Sequence, residues 1–155
     1  MAALIALLAG VFIARAGRSG SKSAVLRAGR ELYLTARYAR VAAVQSGREV
    51  ALVLDGKQGR FLLTRRGEKA DQGEQVISDS YSRAYKLPET VKIERVKTEA
   101  DECVFYPDGG TEPALVQIGD GGSSVTVLVN ALGRVRLVQG VVEDVETGRV
   151  DLDKK

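Results

Sequence analysis

The chain has 155 residues, of which 45% are hydrophobic and 28% charged, as is typical of a folded protein with a buried core. It contains no histidine and a single cysteine, Cys103. This composition excludes catalysis by a histidine base, nucleophile systems built on histidine, and ordinary zinc sites, because each needs groups that the chain lacks. Cys103 has no partner for an intramolecular disulfide, and its place in an apolar run predicts a buried, inert thiol.

Charge is unevenly distributed along the chain, although the formal net charge is only +3. Residues 1–66 hold 12 lysines and arginines against 3 acidic residues, a net of +9, whereas residues 67–155 hold 11 against 17, a net of −6. A basic segment beside an apolar one suits an anionic membrane surface or nucleic acid. It equally suits arginines that only solvate one face of a helix, so charge alone leaves these alternatives open.

The first 46 residues predict one long helix in two halves. The first half, residues 2–14, is apolar on every side, which favours a membrane or full burial over an interfacial position. At 13 residues it is shorter than the roughly 20 needed to span a bilayer. It is therefore the end of a longer spanning helix, a buried core helix or an interfacial anchor. The candidate membrane or filament residues are Leu4, Ile5, Leu7, Leu8, Val11, Phe12 and Ile13.

The second half, residues 24–45, predicts an amphipathic helix that follows a joint rich in glycine and serine at residues 17–23. Lys22 and Ser23 resemble the end of a phosphate-binding loop, but Ala16 and Ser21 stand where that motif has glycines, so we interpret the segment as a flexible joint or kink. Apolar residues at three- and four-residue steps share one helix face. The residues predicted to pack this helix on the rest of the chain are Ala28, Leu32, Ala36, Ala39 and Ala43.

Residues 47–142 predict an antiparallel β head, and Gly47 suits the residue that ends the helix. Alternating apolar residues and turn signals predict about seven strands, with one more weak strand in the polar stretch 66–86. The predicted strands cover residues 49–54, 60–65, 91–96, 103–106, 115–118, 124–129 and 134–138. The fold class is therefore α+β, a long N-terminal helix packed on a β-sandwich-like head. The charged tail, residues 143–155, is predicted to be disordered.

The acidic residues of the head offer no convincing catalytic or metal site. Glu99, Asp101 and Glu102 lie near Asp108 in sequence, but they lack the spacing of a calcium-binding loop. Asp120 lies between glycines, as a hairpin turn requires. We therefore expect these residues to lie in solvated turns and expect no enzyme activity, no cofactor and no metal.

Three stretches of the chain resemble the minor pseudopilins of the GspH/FimT type, which occur in type II secretion systems and type IV pili. The first runs from Leu32 to Ala43, with Gly47 and the strand 50–54 after it; the others are 104–109 and 125–137. The resemblance covers residues 1–140 and implies a pilin-like fold and a structural subunit of a secretion pseudopilus. It further implies a single-pass inner-membrane protein with a periplasmic head, which contacts other pseudopilins or pilins through its N-terminal helix and takes no small-molecule substrate.

The chain departs from this family at its N-terminus. Family precursors carry a short basic leader that ends in glycine, followed by Phe-Thr-Leu-Ile-Glu-Leu, whereas Met1 to Ile13 resembles only the later part of the hydrophobic stretch. We therefore expect the natural reading frame to begin upstream of Met1, and processing by prepilin peptidase has no support in the chain as given.

The alternative within the family is a FimT-like minor pilin that binds DNA. The exposed arginines predicted for that role are Arg134, Arg136 and Arg149, although the acidic tail beside them argues against it. Tyr33 and Tyr38 lie among arginines, but they are five residues apart on the predicted helix and form no common stacking platform. We therefore expect these tyrosines to pack on the head and nucleic acid not to be a partner.

Overall fold

The computed structural model describes residues 2–67, 73, 75–77, 83–98 and 100–143, with the backbone alone for residues 2–19. Within these residues one helix precedes nine strands. The helix is α1 (Ala2–Ser46), and the strands are β1 (Val50–Asp55), β2 (Arg60–Arg65), β3 (Gln75–Val76), β4 (Tyr85–Lys86), β5 (Lys92–Lys97), β6 (Glu102–Phe105), β7 (Ala114–Gly119), β8 (Ser124–Val129) and β9 (Val135–Gln139).

The strands form two antiparallel sheets, and α1 packs against both. The first sheet has the order β3-β2-β1-β6, and β4 also pairs with β2. The second has the order β5-β7-β8-β9, with Val127 of β8 opposite Val116 of β7 and Leu137 of β9. Buried residues of α1 and of both sheets join in one apolar cluster. The predicted α+β class, a long helix on an antiparallel head, is confirmed.

The strand predictions agree closely with the structure. β2 and β8 have their predicted bounds, and the other five predicted strands differ by one residue at each end. The weak strand expected in the polar stretch 66–86 is β3, whereas β4 was not predicted. β4 has only two residues and exists because Tyr85 pairs with Phe61 of β2, with the two rings stacked at a centroid distance of 5.1 Å. A pairing between residues so far apart leaves no pattern in the sequence.

α1 is continuous through residues 17–23, so the prediction of a joint that divides the helix was wrong. The Ser23 hydroxyl donates a hydrogen bond to the Gly20 carbonyl oxygen at 2.9 Å, and such a bond within the helix satisfies serine without ending the helix. The comparison with a phosphate-binding loop fails for the same reason, since these residues lie inside a helix. The helix ends where predicted, because Gly47 adopts a φ of +66° that favours glycine.

The N-terminal part of α1 contains the apolar residues from Leu4 to Ile13, whose side chains are outside the described part of the structure. Among the described residues, no helix combines the length and the hydropathy needed to cross a bilayer. The tail predicted to be disordered lies outside the described residues from position 144 onward.

Small residues let α1 lie close to the second sheet. Ala28, Leu32, Ala36, Ala39 and Ala43 are all completely buried. Beside this stripe, Gly29 faces β8 so closely that a Cβ atom there would lie 2.5 Å from Cγ2 of Val125. The distance between helix and sheet is therefore set by the absence of a side chain at position 29.

A second contact ties the N-terminal side of α1 to the head. The Ser21 hydroxyl donates a hydrogen bond to the Asp120 carboxylate, which also accepts the backbone N–H groups of Gly122 and Ser123 in the β7–β8 turn. These bonds, with that of Ser21 the largest, lower the pKa of Asp120 from 3.8 to about 2. The Asp120 carboxylate therefore stabilises the β7–β8 turn and also links this turn to α1.

We expect Gly29→Ala to lower the free energy of unfolding by about 1 kcal/mol or more. The added methyl group would overlap a buried β-branched side chain, at a cost of about 1–3 kcal/mol, which outweighs the gain of up to ~1 kcal/mol from alanine in a helix. Urea unfolding followed by circular dichroism measures this. Gly20→Ala in the same helix is the matched control, since no atom lies within 4 Å of a Cβ there. Equal effects of the two substitutions would contradict the proposed close approach.

We expect Ser21→Ala to lower the stability of the protein above pH 3.8 and to make that stability depend less on acid. Because the folded-state pKa of Asp120 lies below its ordinary value, the tie contributes stability above pH 3.8 that is lost as the pH falls toward 2. Removing the Ser21 hydroxyl raises the pKa of Asp120 toward its ordinary value, so the variant is less stable than the wild type above pH 3.8, and the difference between the two shrinks as the pH falls toward 2. The measurement is the urea midpoint between about pH 2 and about pH 6. Ser23→Ala should leave that profile unchanged, and an equal shift for both variants would refute the role of Ser21.

Candidate functional site

The acidic residues that the sequence analysis weighed as metal ligands and set aside include two that bond within the head. Glu102 forms an ion pair with Arg66 at 2.8 Å, and the Asp108 carboxylate accepts the backbone N–H of Gly110 at 2.8 Å. Asp101 is exposed in a turn, and Glu99 lies outside the described residues. Nowhere in the described part of the chain do three or more histidine, cysteine, aspartate or glutamate side chains come together as metal ligands would. Glu102 therefore forms a surface pair, and Asp108 stabilises its turn.

The Cys103 thiol is buried and inert, as predicted. It is completely buried on β6, and its sulfur lies 3.5 Å from the carbonyl oxygen of Glu112. Burial, with a smaller contribution from the charge of Glu112, raises the pKa of Cys103 to about 12. The thiolate that would act as a nucleophile is therefore not populated near neutral pH.

A groove of about 600 Å³ lies between α1 and β9 and is the main candidate for a binding surface. We call it the α1–β9 groove. It continues along α1 into a second recess that shares Tyr33, Val135 and Arg136 with it. The helix wall consists of Arg30, Tyr33, Leu34, Arg37, Arg40 and Val41. The opposite wall consists of Asn130, Gly133, Arg134, Val135, Arg136 and Leu137.

Two of the five arginines of the groove are held in place by neutral groups. The guanidinium of Arg37 lies over the Tyr33 ring, 5.7 Å from its centre, and donates to the Tyr33 hydroxyl at 3.3 Å. Arg40 Nε donates to the carbonyl oxygen of Gly109 at 3.2 Å. Gly133 makes room for this contact: it has a φ of +73°, and a Cβ atom there would lie 2.6 Å from Arg40 Nε. Both arginines keep their charge without a carboxylate partner among the described residues.

The other three arginines are exposed. The side chains of Arg30, Arg134 and Arg136 make no ion pair or hydrogen bond within the described part of the chain. The one acidic residue of α1, Glu31, lies on another side of the helix, where its charge acts on Tyr85. The groove therefore concentrates five positive charges beside exposed apolar side chains.

Sequence reasoning found only part of this site. Arg134 and Arg136 were candidate residues, and the structure places them opposite the arginines of α1; the third candidate, Arg149, lies outside the described residues. For the α1 arginines the sequence left open a membrane surface, nucleic acid or a solvated helix face. Their spacing indicates a shared surface, because Arg30 and Arg37 are seven residues apart and so lie on one side of the helix. Tyr33 and Tyr38 are partly buried against the core, in agreement with the expectation that they pack.

Comparison with known proteins identifies the family. A family model described as Type II transport protein GspH matches residues 28–133, which run from the buried stripe of α1 to the turn before β9. No curated protein gives a significant sequence match to the chain.

Solved structures of pilin-like proteins share the fold. Two structures of the minor pseudopilin EpsH from the type II secretion system of Vibrio cholerae match with TM-scores of 0.63 and 0.64, each at 18% identity. The matches cover 74% and 79% of this chain and 96% and 99% of EpsH. The type IV minor pilin FimU of Pseudomonas aeruginosa matches with a TM-score of 0.54 at 17% identity, over 72% of this chain and 90% of FimU.

At these identities the structural matches show the fold, and the family model shows the family, since it spans more than half of the chain. The chain belongs to the GspH family, the minor pseudopilins of type II secretion.

Proposed function

We propose that this chain is a structural subunit of a type II secretion pseudopilus, in which the N-terminal half of α1 contacts other pseudopilins. The observation that carries the proposal is the GspH family match over residues 28–133, which span the second half of α1 and the head as far as the turn before β9. In this arrangement α1 anchors the subunit in the inner membrane before assembly, and the head lies in the periplasm.

The distribution of polarity along α1 supports this assignment. At 1.5 Å per residue, the 45 residues of α1 form a rod about 68 Å long. Its first part is apolar on every side, which suits a membrane or the interior of a filament. Its second part carries arginines, which suit an aqueous environment. Lipid tails are as apolar as these side chains, so close packing against neighbouring helices, and not removal from water, would favour assembly.

The chemistry of the head also suits a structural role. Asp108 and Asp120 stabilise turns, Glu102 pairs with Arg66, and the thiol is buried with a raised pKa. The head thus offers a folded surface for contacts with neighbours, and these polar groups stabilise the head itself.

We expect Leu8→Arg to prevent incorporation of the subunit into the pseudopilus. A charged residue among apolar helices costs about 3 kcal/mol, which corresponds to a loss of about a hundredfold in incorporation. The measurement is co-isolation of the other pseudopilins with this subunit from cells that express the secretion system, together with the amount of secreted protein. Val76→Arg on exposed β3 is the control and should assemble normally. Normal assembly of Leu8→Arg would overturn the proposed helix contact.

A further inference from the structure

We propose that the α1–β9 groove binds an extended segment rich in glutamate or aspartate from a neighbouring subunit, and that this segment adds to β9 as a fifth strand of the second sheet. The inference deepens the proposed function and rests on it, because the neighbour is taken to be another head of the same filament. Backbone pairing, charge and apolar contacts each point to such an occupant.

The outer edge of β9 carries unused backbone groups. Asn130 N donates to the Arg134 carbonyl oxygen at 3.1 Å, and Gly140 N donates to the Ser124 carbonyl oxygen at 2.8 Å. In an antiparallel ladder every second residue faces the partner strand, so residues 134, 136, 138 and 140 bond to β8. The N–H and C=O groups of Val135 and Leu137 therefore point outward, where the structure describes no other strand. An extended peptide satisfies such groups by strand addition.

The positive charge of the α1–β9 groove favours an acidic occupant. Five arginines line the groove, and none of them pairs with a carboxylate within the described residues. The planar guanidinium donates two parallel hydrogen bonds to one carboxylate, so arginine is the residue best suited to bind this group. The carboxylates of an acidic segment beside β9 would meet Arg134 and Arg136, which lie on the same face of the strand, while Arg30 and Arg37 add positive potential from the helix.

Apolar side chains complete the match to a peptide. Leu34 and Val41 are 54% and 48% exposed, although both lie on the helix wall of the groove. The side chains of a strand alternate between two directions, so every second residue of an added strand could cover apolar surface while the others present carboxylates to arginines. Acidic residues alternating with valine or threonine therefore fit best.

Two other anionic partners fit these observations less well. A single-stranded nucleic acid needs free aromatic faces, but Tyr33, the one tyrosine of the groove among the described residues, is covered by Arg37. A lipid headgroup lies too far away, because Arg30 is about 25 Å along the helix from Ile13, well beyond the Debye length of about 8 Å. Neither partner uses the open backbone of β9.

Charged residues on an edge strand also protect it from aggregation. That role alone accounts for Arg134 and Arg136. It does not account for three more arginines that reach the same groove from α1, or for the exposed leucine and valine between them.

The test measures binding of a synthetic seven-residue peptide that alternates glutamate and valine to the full chain in non-ionic detergent. We expect the peptide to bind, and the same peptide with glutamine in place of glutamate to bind about tenfold more weakly. Amide hydrogen exchange of Val135 and Leu137 should slow when the acidic peptide binds, because strand addition uses these N–H groups. Absence of binding, or binding with unchanged exchange at both amides, would overturn the proposal.

Two matched double variants distinguish binding at the α1–β9 groove from a general effect of positive charge. Arg134→Gln/Arg136→Gln should weaken binding about tenfold, whereas Arg83→Gln/Lys92→Gln removes two exposed positive charges elsewhere and should change it less than about twofold. Equal weakening would overturn the proposal, and so would tighter binding of a twenty-nucleotide single-stranded DNA or of anionic vesicles at the groove.

This test is independent of the assembly test. The peptide measurement uses the isolated chain, so its failure removes the groove as a docking site while Leu8→Arg still reports on the filament helix. Conversely, normal assembly of Leu8→Arg would refute the helix contact even where the peptide binds.

Discussion

The close contact between α1 and the sheets is the constraint on which the other features of the head depend. Alanine recurs along the buried side of the helix, and Gly29 lets the backbone approach Val125 of β8. Helices of large residues stand farther from their neighbours, so the small side chains determine how deeply α1 sits. The larger Leu32 is also fully buried, within the single core that joins both sheets. The helix thereby contributes to the core that both sheets share.

The position of α1 also creates the α1–β9 groove. The helix contacts β8 and β9 with one side and leaves its arginine-bearing side beside the outer edge of the second sheet. Arg40 secures this geometry at the far end through the Gly109 carbonyl, and Ser21 secures the other end through Asp120. In the proposed assembly through α1, a helix held at two points would fix the orientation of the head relative to the filament.

Local patterns were enough to predict most of the fold. Alternating apolar residues located β8 and β9, and the glycine after Ser46 marked the end of α1. The short β4 was missed because two residues carry no period, and its existence depends on pairing with β2. The serine-rich segment 17–23 was misjudged because its composition suits a loop, whereas here its hydroxyls bond within the helix and to Asp120. The groove was not foreseen since its walls are about a hundred residues apart in sequence.

The most direct test of this account is native-state amide hydrogen exchange of the full chain in detergent. If α1 forms one cooperative unit with the sheets, the amides from Val25 to Ala43 will open with the same free energy as those of β8, that of global unfolding. If the α1 amides open at a cost lower by about 2 kcal/mol or more while β8 stays protected, the helix separates from a folded head, and the small-residue contact does not hold the structure together.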